Sequence, residues 1–338
     1  MHVFIMVSQV ACKTPLKSFR RFQSSDVDEA QDIVARHFCS HRLERNSAKD
    51  RFDACQNRVA GHGVSLNYIR YGADVTIEPG ELSNFYLIQI PLAGTALVKN
   101  GCQTVEANAT TGSVLNPDRL TSMRWHAGCE QLLVQVDRNY LQDVATNLAG
   151  LSSDCSLRFK PSIDLRKPAL SNWFRSVRAA VKAAEDGAVF QSPDGPLQRH
   201  LEEGLVTAFL EAQPNTLSPL LKRSEGQTVP AILKRSLAFI NDRFTENISL
   251  LDICIHAGTT PRNLQLVFRR ELGCSPIQCL QNVRLGFARH LLLSGDLERS
   301  VSDIADQSGH RHLGRFSVAY KKRFGETPRA TTRSKQYC

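Results

Sequence analysis

The side chains best placed to do chemistry in this sequence are cations and amides set on a helical period near its C-terminus. From Thr260 the chain reads T-P-R-N-L-Q-L-V-F, followed by Arg269 and Arg270. The 3.6-residue period turns Leu264, Val267 and Phe268 inward and leaves Arg262, Asn263, Gln265, Leu266, Arg269 and Arg270 outward. Arg can grip a guanine edge, and Asn or Gln an adenine edge, with two hydrogen bonds each, while further cations hold phosphate. The spacing fits a helix laid in a major groove, with Arg262 and Gln265 on bases, Asn263 beside them and Arg269 on phosphate. A merely solvated helix face is the alternative for each.

A second set follows in register. Leu264/Phe316, Phe268/Tyr320, Gly273/Gly325 and Pro276/Pro328 are offset by 52 positions, and Ile253/Ile304 and Gly258/Gly309 by 51. Each copy has a short helix with a small residue inside it (Cys254, Ala305), a Gly turn, then a second helix with apolar positions four apart. A small residue lets two helices cross closely and Gly supplies the turn, so each copy reads as a helix-turn-helix. In the second copy Phe316 and Tyr320 are core. Arg311, His312, Arg315 and Ser317 are exposed, with Lys321 a turn further on. Arg315 and Ser317 are the base readers; Arg311 and Lys321 hold the backbone, and Lys322 and Arg323 raise the local potential. Ile277–Leu293 joins the copies as a helix of about 25 Å, and adding the width of each unit sets the reading helices ~34 Å apart, one turn of DNA.

Charge agrees with this placement. Residues 229–338 carry 17 Lys+Arg against 9 Asp+Glu, whereas residues 1–228 carry 25 against 24. Nearly all of the net +9 therefore sits on the repeated module, where phosphate contacts would use it.

The elements that must position these groups follow from patterning. A length of 338 residues allows two domains or slightly more. Ser24-Ser25-Asp26 caps an amphipathic helix through Val27, Ala30, Ile33, Val34 and Phe38. From about 58 to 136 short apolar runs alternate with turn residues: Ser65–Tyr71, Val75–Glu78, Phe85–Leu92, Thr95–Lys99, Thr104–Ala107, Ser113–Leu115, Met123–Trp125 and Gln131–Val136. Asn100-Gly101 is a hairpin signal. Residues 138–213 are mostly helical, with apolar stripes over Pro168–Glu185 and Leu197–Leu210. The fold expected is α+β, a cupin-like small β-barrel with flanking helices followed by an all-α domain with two helix-turn-helix units. The expected organisation is a flexible leader at 1–20, a barrel-and-helix domain at 21–213 and a linker at 214–228. A DNA-binding domain at 229–338 follows, its units at about 250–271 and 301–323.

Ten scattered cysteines without a C-x-x-C pair read as free thiols of a reducing cytoplasm. The apolar stretch Val3–Ala11 is too short to span a bilayer and has no basic region before it; it reads as a leader, with Met6 an alternative start. No cofactor, metal site or catalytic residue is expected. The barrel region offers only His62 and His126 as imidazole ligands, without an H-x-H neighbour, and the chain has no G-x-S-x-G, phosphate-cradling Gly loop or H-E-x-x-H. A cupin-type metalloenzyme is thus a remote alternative.

Within the barrel, Tyr68, Tyr71, Phe85, Tyr86 and Trp125 are the aromatic candidates for a small-molecule site, and Arg70, Arg119 and Arg124 could clamp a carboxylate. Tyr68, Arg70, Tyr86, Arg124 and Trp125 are the set singled out, although strand alternation does not choose the inward face, because both parities carry apolar residues. A domain that only dimerises or binds a protein partner has the same composition.

At Thr260–Phe268 (S/T-P-R-x-L-Q-x-x-F), Leu272–Pro276 (L-G-x-S-P) and His312–Pro328 (H-L-G-R-F-S-x-x-Y-x-x-x-F-G-x-x-P), the sequence resembles the AraC/XylS family of bacterial transcription activators over roughly Val229–Arg333. Ile69–Val136, with I-R-Y-G, Y-L-I-Q-I-P-L-A-G and L-N-P-D, resembles the effector domain of the benzoate and toluate regulators of that family. The resemblance implies an activator that binds promoter DNA on the bacterial nucleoid, contacts RNA polymerase, forms a homodimer and answers to an aromatic carboxylate, with 21–213 as its effector-binding and dimerisation domain. The chain departs from the family at His310, where a Phe usually follows the turn Gly; this places a protonatable group near DNA. It departs again at Leu266 and Val318, where relatives often carry polar or basic base-contacting residues.

Overall fold

In the computed structural model, which describes residues 14–149, 157–192, 195–221, 230–294 and 300–333, two antiparallel sheets face each other ahead of a helical region. The strands are β1 (Arg20–Ser24), β2 (Arg42–Arg45), β3 (Ala54–Ala60), β4 (Val64–Arg70), β5 (Val75–Gly80), β6 (Phe85–Ala93), β7 (Ala96–Asn100) and β8 (Gln103–Ala107). β9 (Thr111–Leu115), β10 (Thr121–Trp125), β11 (Glu130–Asp137) and β12 (Ser162–Asp164) complete them. One sheet runs β1-β3-β4-β11-β6-β9-β12 and the other β2-β5-β10-β7-β8. Helix α1 (Val27–His37) lies between β1 and β2, and α2 (Arg138–Leu148), α3 (Pro168–Glu185), α4 (Pro196–Ala212) and α5 (Ser218–Leu221) follow the strands.

The large sheet is buried on both faces. Ile69, Tyr71, Leu87, Met123, Trp125 and Leu133 point between the sheets, beside Ala30 and Val34 of α1. Leu66, Tyr86, Ile88, Leu132 and Val134 point the other way, against Leu141, Leu170, Trp173, Val177, Leu205 and Phe209 of α2, α3 and α4. Both parities of β6 and β11 are apolar for that reason.

The remaining helices are α6 (Ala231–Arg243), α7 (Leu250–Ala257), α8 (Pro261–Leu272), α9 (Pro276–Ser294), α10 (Val301–Gln307), α11 (Leu313–Phe324) and α12 (Pro328–Arg333). Leu233, Leu237, Ile253, Leu264 and Phe268 of the first unit belong to the same hydrophobic cluster as the outer face of the large sheet. The second unit has its own core of Leu285, Ala288, Leu292, Ile304, Ala305, Phe316, Tyr320 and Phe324.

The structure corrects the sequence expectation at three places. The sheets take in strands outside 58–136: β1, β2 and most of β3 precede it and β12 follows it. Their charged and polar sequences (RRFQS, RLER, ACQNRVA) hide the strand period, which the pairing of β1 with β3 and of β2 with β5 supplies instead. The described part of the expected leader is packed: Leu16 is fully buried and donates its N–H to Glu185, while the Pro15 carbonyl accepts from Asn57. The expected linker holds α5, whose preceding Leu217 and own Leu220 are buried. Val3–Ala11, Met6 and residues 222–228 of that linker lie outside the described residues. Among the described residues no helix is long and apolar enough to cross a membrane.

Candidate functional site

Local chemistry sets each turn of the C-terminal repeat. Ser249 caps α7 and Ser300 caps α10 with the same reciprocal bonds: each hydroxyl accepts from the N–H three residues on, and Asp252 or Asp303 accepts the cap's own N–H. Gly258 (φ 65) and Gly309 (φ 78) then take the left-handed conformation that turns the chain into the second helix. Thr260 caps α8 through the Asn263 N–H, with Pro261 at the first helical position. α11 begins after His312 with no side-chain cap.

The two second helices bury Leu264, Val267 and Phe268, and Phe316, Tyr320 and Phe324. Arg262, Asn263, Gln265 and Arg269 are exposed on α8; Arg311, His312, Arg315 and Lys321 are exposed at and on α11, and Ser317 is half-buried. Asn263 also donates to the Thr259 hydroxyl at 2.9 Å, which fixes its amide beside the turn. The one acid of α8, Glu271, is buried and paired with Arg270, so its exposed side is cationic and amide-bearing. Arg323, read as surface potential, is buried, donates to Asn282 and lies over the Phe324 ring.

His310 packs against the core of the second unit. Its ring packs 4.9 Å from the Phe316 ring, and burial, with Arg284 nearby, pulls its pKa down to about 4. It fills the apolar anchor position as a neutral group. Arg284 of α9 donates to the carbonyls of Phe244 and Glu246, both at 2.6 Å, and so ties the end of α6 to the helix that joins the two units.

The barrel residues singled out from sequence do not converge. Arg70 pairs with Asp53 at 2.8 Å, and Arg124 grips Asp74 through Nε and Nη2. Asp74, which also accepts from Asn46 and meets His126, is held down to about 2 chiefly by Arg124. The Tyr86 hydroxyl donates to the Leu157 carbonyl on the helix side of the sheet. Tyr68 donates to Glu130 from the face it shares with Leu66 and Leu132. Trp125 alone of the five faces the space between the sheets. His126 is committed to Asp74 and His62 sits against Tyr140; no cluster of metal-ligating side chains occurs among the described residues.

Sequence reasoning missed a polar cavity on the inner face of the large sheet, beside the end of α1. Arg58 donates to the Ser65 hydroxyl (2.6 Å), the Gln135 carbonyl oxygen (2.8 Å) and the Asn67 carbonyl oxygen (3.0 Å). All three acceptors are neutral, and burial lowers its pKa to about 10, which leaves it charged at neutral pH without a carboxylate partner among the described residues. It lines a cavity of 290 Å³ with Ser65, Gln135, His62 and Asn84. Phe38 and Phe85, packed edge to face, separate this cavity from a small apolar one lined by Tyr71, Met123, Trp125 and His41. There the Trp125 indole N–H and His41 Nε2 meet no partner. The polar residues at alternate positions of Gln56-Asn57-Arg58, Ser65-Leu66-Asn67 and Gln131–Gln135 were the available signal.

The AraC-binding-like domain family matches residues 30–211, and a helix-turn-helix domain family matches 253–334. The probable thc operon regulatory protein of Rhodococcus erythropolis is 24% identical over 316 residues, 91% of this chain and 94% of that one. The XylDLEGF operon transcriptional activator 3 of Pseudomonas putida is 24% identical over 331 residues, 96% and 95% of the two chains. The solved structure of a probable AraC family transcriptional regulator from Rhodopseudomonas palustris CGA009 is 27% identical, covering 30% of this chain and 95% of that one at a TM-score of 0.30. A barrel family over more than half the chain, followed by a helix-turn-helix family over the repeated, basic C-terminal helices, places this protein in the AraC/XylS family of transcription regulators.

Proposed function

We propose that this regulator activates transcription in response to an aromatic carboxylate held in the cavity between its large sheet and the end of α1, with Arg58 as the anion anchor. The observation that carries the reading is Arg58 itself: a half-buried cation whose side-chain hydrogen bonds go only to neutral oxygens. A carboxylate there would accept a charge-assisted pair of hydrogen bonds from Arg58, while Asp137, which also lines the cavity, is engaged in capping α2 through the Tyr140 N–H. Phe38 and Phe85, which line the same cavity as Arg58, offer an apolar wall for a ring. Arg70 and Arg124, occupied by Asp53 and Asp74, serve as rim ion pairs in this reading.

On the DNA side, Arg262, Gln265, Arg315 and Ser317 read bases, while Arg269, Arg311 and Lys321 hold phosphates; Asn263 and His312 border the base readers. Activation rests on the relatives named as operon activators, and it entails contact with RNA polymerase at a promoter. A homodimer would extend the contact to repeated sites. The protein acts on nucleoid DNA in the cytoplasm.

The test is thermal denaturation of the full chain with benzoate, salicylate, anthranilate and toluates against non-aromatic acids. A ligand at a hundredfold its Kd stabilises by about 2.7 kcal/mol, a Tm rise of several degrees. The rise should occur in the native protein and vanish in Arg58→Gln. No rise with any acid would make the barrel a dimerisation or partner-binding module.

A further inference from the structure

Leu266 and Val318 occupy equivalent positions, each two residues beyond the paired anchors Leu264 and Phe316. They are also 60% and 70% exposed, against complete burial of Leu264 and Phe268 on one helix and near-complete burial of Phe316 and Tyr320 on the other. On α8 the buried side is centred on Leu264, Val267, Phe268 and Glu271, which puts Leu266 on the outermost ridge with Arg262 one turn before it. On α11 the buried side is centred on Phe316, Tyr320, Arg323 and Phe324, which puts Val318 on the outermost ridge, one turn after Gly314. Both helices therefore present branched hydrocarbon at the point farthest from the protein, between cations.

Leu266 and Val318 differ from other exposed apolar side chains in lying on the reading helices, where the flanking charges of Arg262, Arg269, Arg315 and Lys321 suit a polyanion rather than an apolar protein face. In the major groove the only apolar feature is the C5 methyl group of thymine. We infer that Leu266 and Val318 are specificity residues that each seat a thymine methyl, so that the preferred site carries thymines at matching positions of two adjacent major-groove segments. α9, 19 residues long, joins the two units, so the thymines fall roughly 10 base pairs apart on one face of the duplex. The inference rests on the DNA-binding reading and on the outward orientation of these two helices.

The experiment selects a preferred duplex from randomised 40-base-pair DNA with the full chain, then replaces each thymine in turn with deoxyuridine, which removes the methyl group alone. Two replacements about one helical turn apart should each weaken binding about fourfold, the worth of one buried methyl. In Leu266→Ala one of these penalties should disappear, and in Val318→Ala the other, with each variant's Tm unchanged because neither side chain is part of the core. A selected duplex that binds tightly but shows the same deoxyuridine penalties in both variants as in the native chain overturns the thymine assignment and leaves DNA binding intact. Failure to select any duplex overturns both readings.

Discussion

Gly309 and Arg284 are in contact across the two halves of the repeat: a Cβ added at Gly309 would lie 2.8 Å from Arg284 Nε and 2.9 Å from the Phe244 carbonyl that Arg284 bonds. The second turn is therefore seated against the clamp that ties α6 to α9. Gly309→Ala combines that overlap with a left-handed φ of 78° and should cost roughly 1–3 kcal/mol. Arg284→Ala should be milder in stability but should broaden the tolerated spacing between the two contacted DNA segments. Thermal denaturation measures the first effect, and binding to duplexes with one or two inserted base pairs the second.

Protonation of His310 should destabilise the second unit. Its pKa is about 4 in the folded protein, pulled down by burial from an ordinary value near 6.5. In the unfolded chain it takes up a proton first as pH falls. The stability of the neutral packed ring is thus complete above about pH 6.5 and is lost progressively toward about pH 4. His310→Phe should flatten the pH dependence of unfolding across that window. An unchanged profile in the variant would assign the acid sensitivity to other groups.

Lys321 and Arg315 should separate in a salt titration. Both are exposed on α11. Lys321→Ala should weaken binding to every duplex alike and reduce the slope of log K against log salt by about one. Arg315→Ala should cost about 1–3 kcal/mol on the preferred duplex and relax the choice of base at one position. Identical effects of both changes on preferred and random DNA would reverse the assignment.

Arg289 of α9 is 3% exposed and bonds Glu81 of the barrel, Glu326 and the Tyr320 hydroxyl, with its guanidinium 4.2 Å over the Phe324 ring. Arg289→Ala strands two nearly buried carboxylates and should destabilise the protein by about 3–5 kcal/mol. Glu81→Gln leaves the Glu326 pair in place and should cost much less. Comparing the Tm of the two variants checks both expectations.

Much of this architecture could be read from the chain because its signals are local. Pro168–Glu185 forms the helix its stripe predicts, and Asn100-Gly101 forms the hairpin between β7 and β8, with Gly101 at φ 65. The inward positions of α8 and α11 followed from spacing alone. Edge strands such as β1 and β2 were hidden because pairing, not apolar alternation, makes them strands. The chamber was hidden for a related reason. A sheet covered on both faces gives no parity by which to tell Tyr86 from Phe85, so exposed-looking cations were chosen over Arg58, whose partners come from β4 and β11.

The shared cluster that runs from Tyr86 and Val134 through Leu220 to Leu237 and Phe268 has a consequence for anyone rebuilding this protein. Composition invites a cut in the polar stretch before α6, yet a transplant joined there would strip hydrocarbon from the first reading unit. The cohesive block ends inside α9, between Leu280, which belongs to the sheet's cluster, and Leu285, which belongs to the second unit's. A chimera that keeps the barrel and exchanges only what lies beyond that point would keep one reading head with its native foundation, and the grafted head would need an arginine at 289 to meet Glu81.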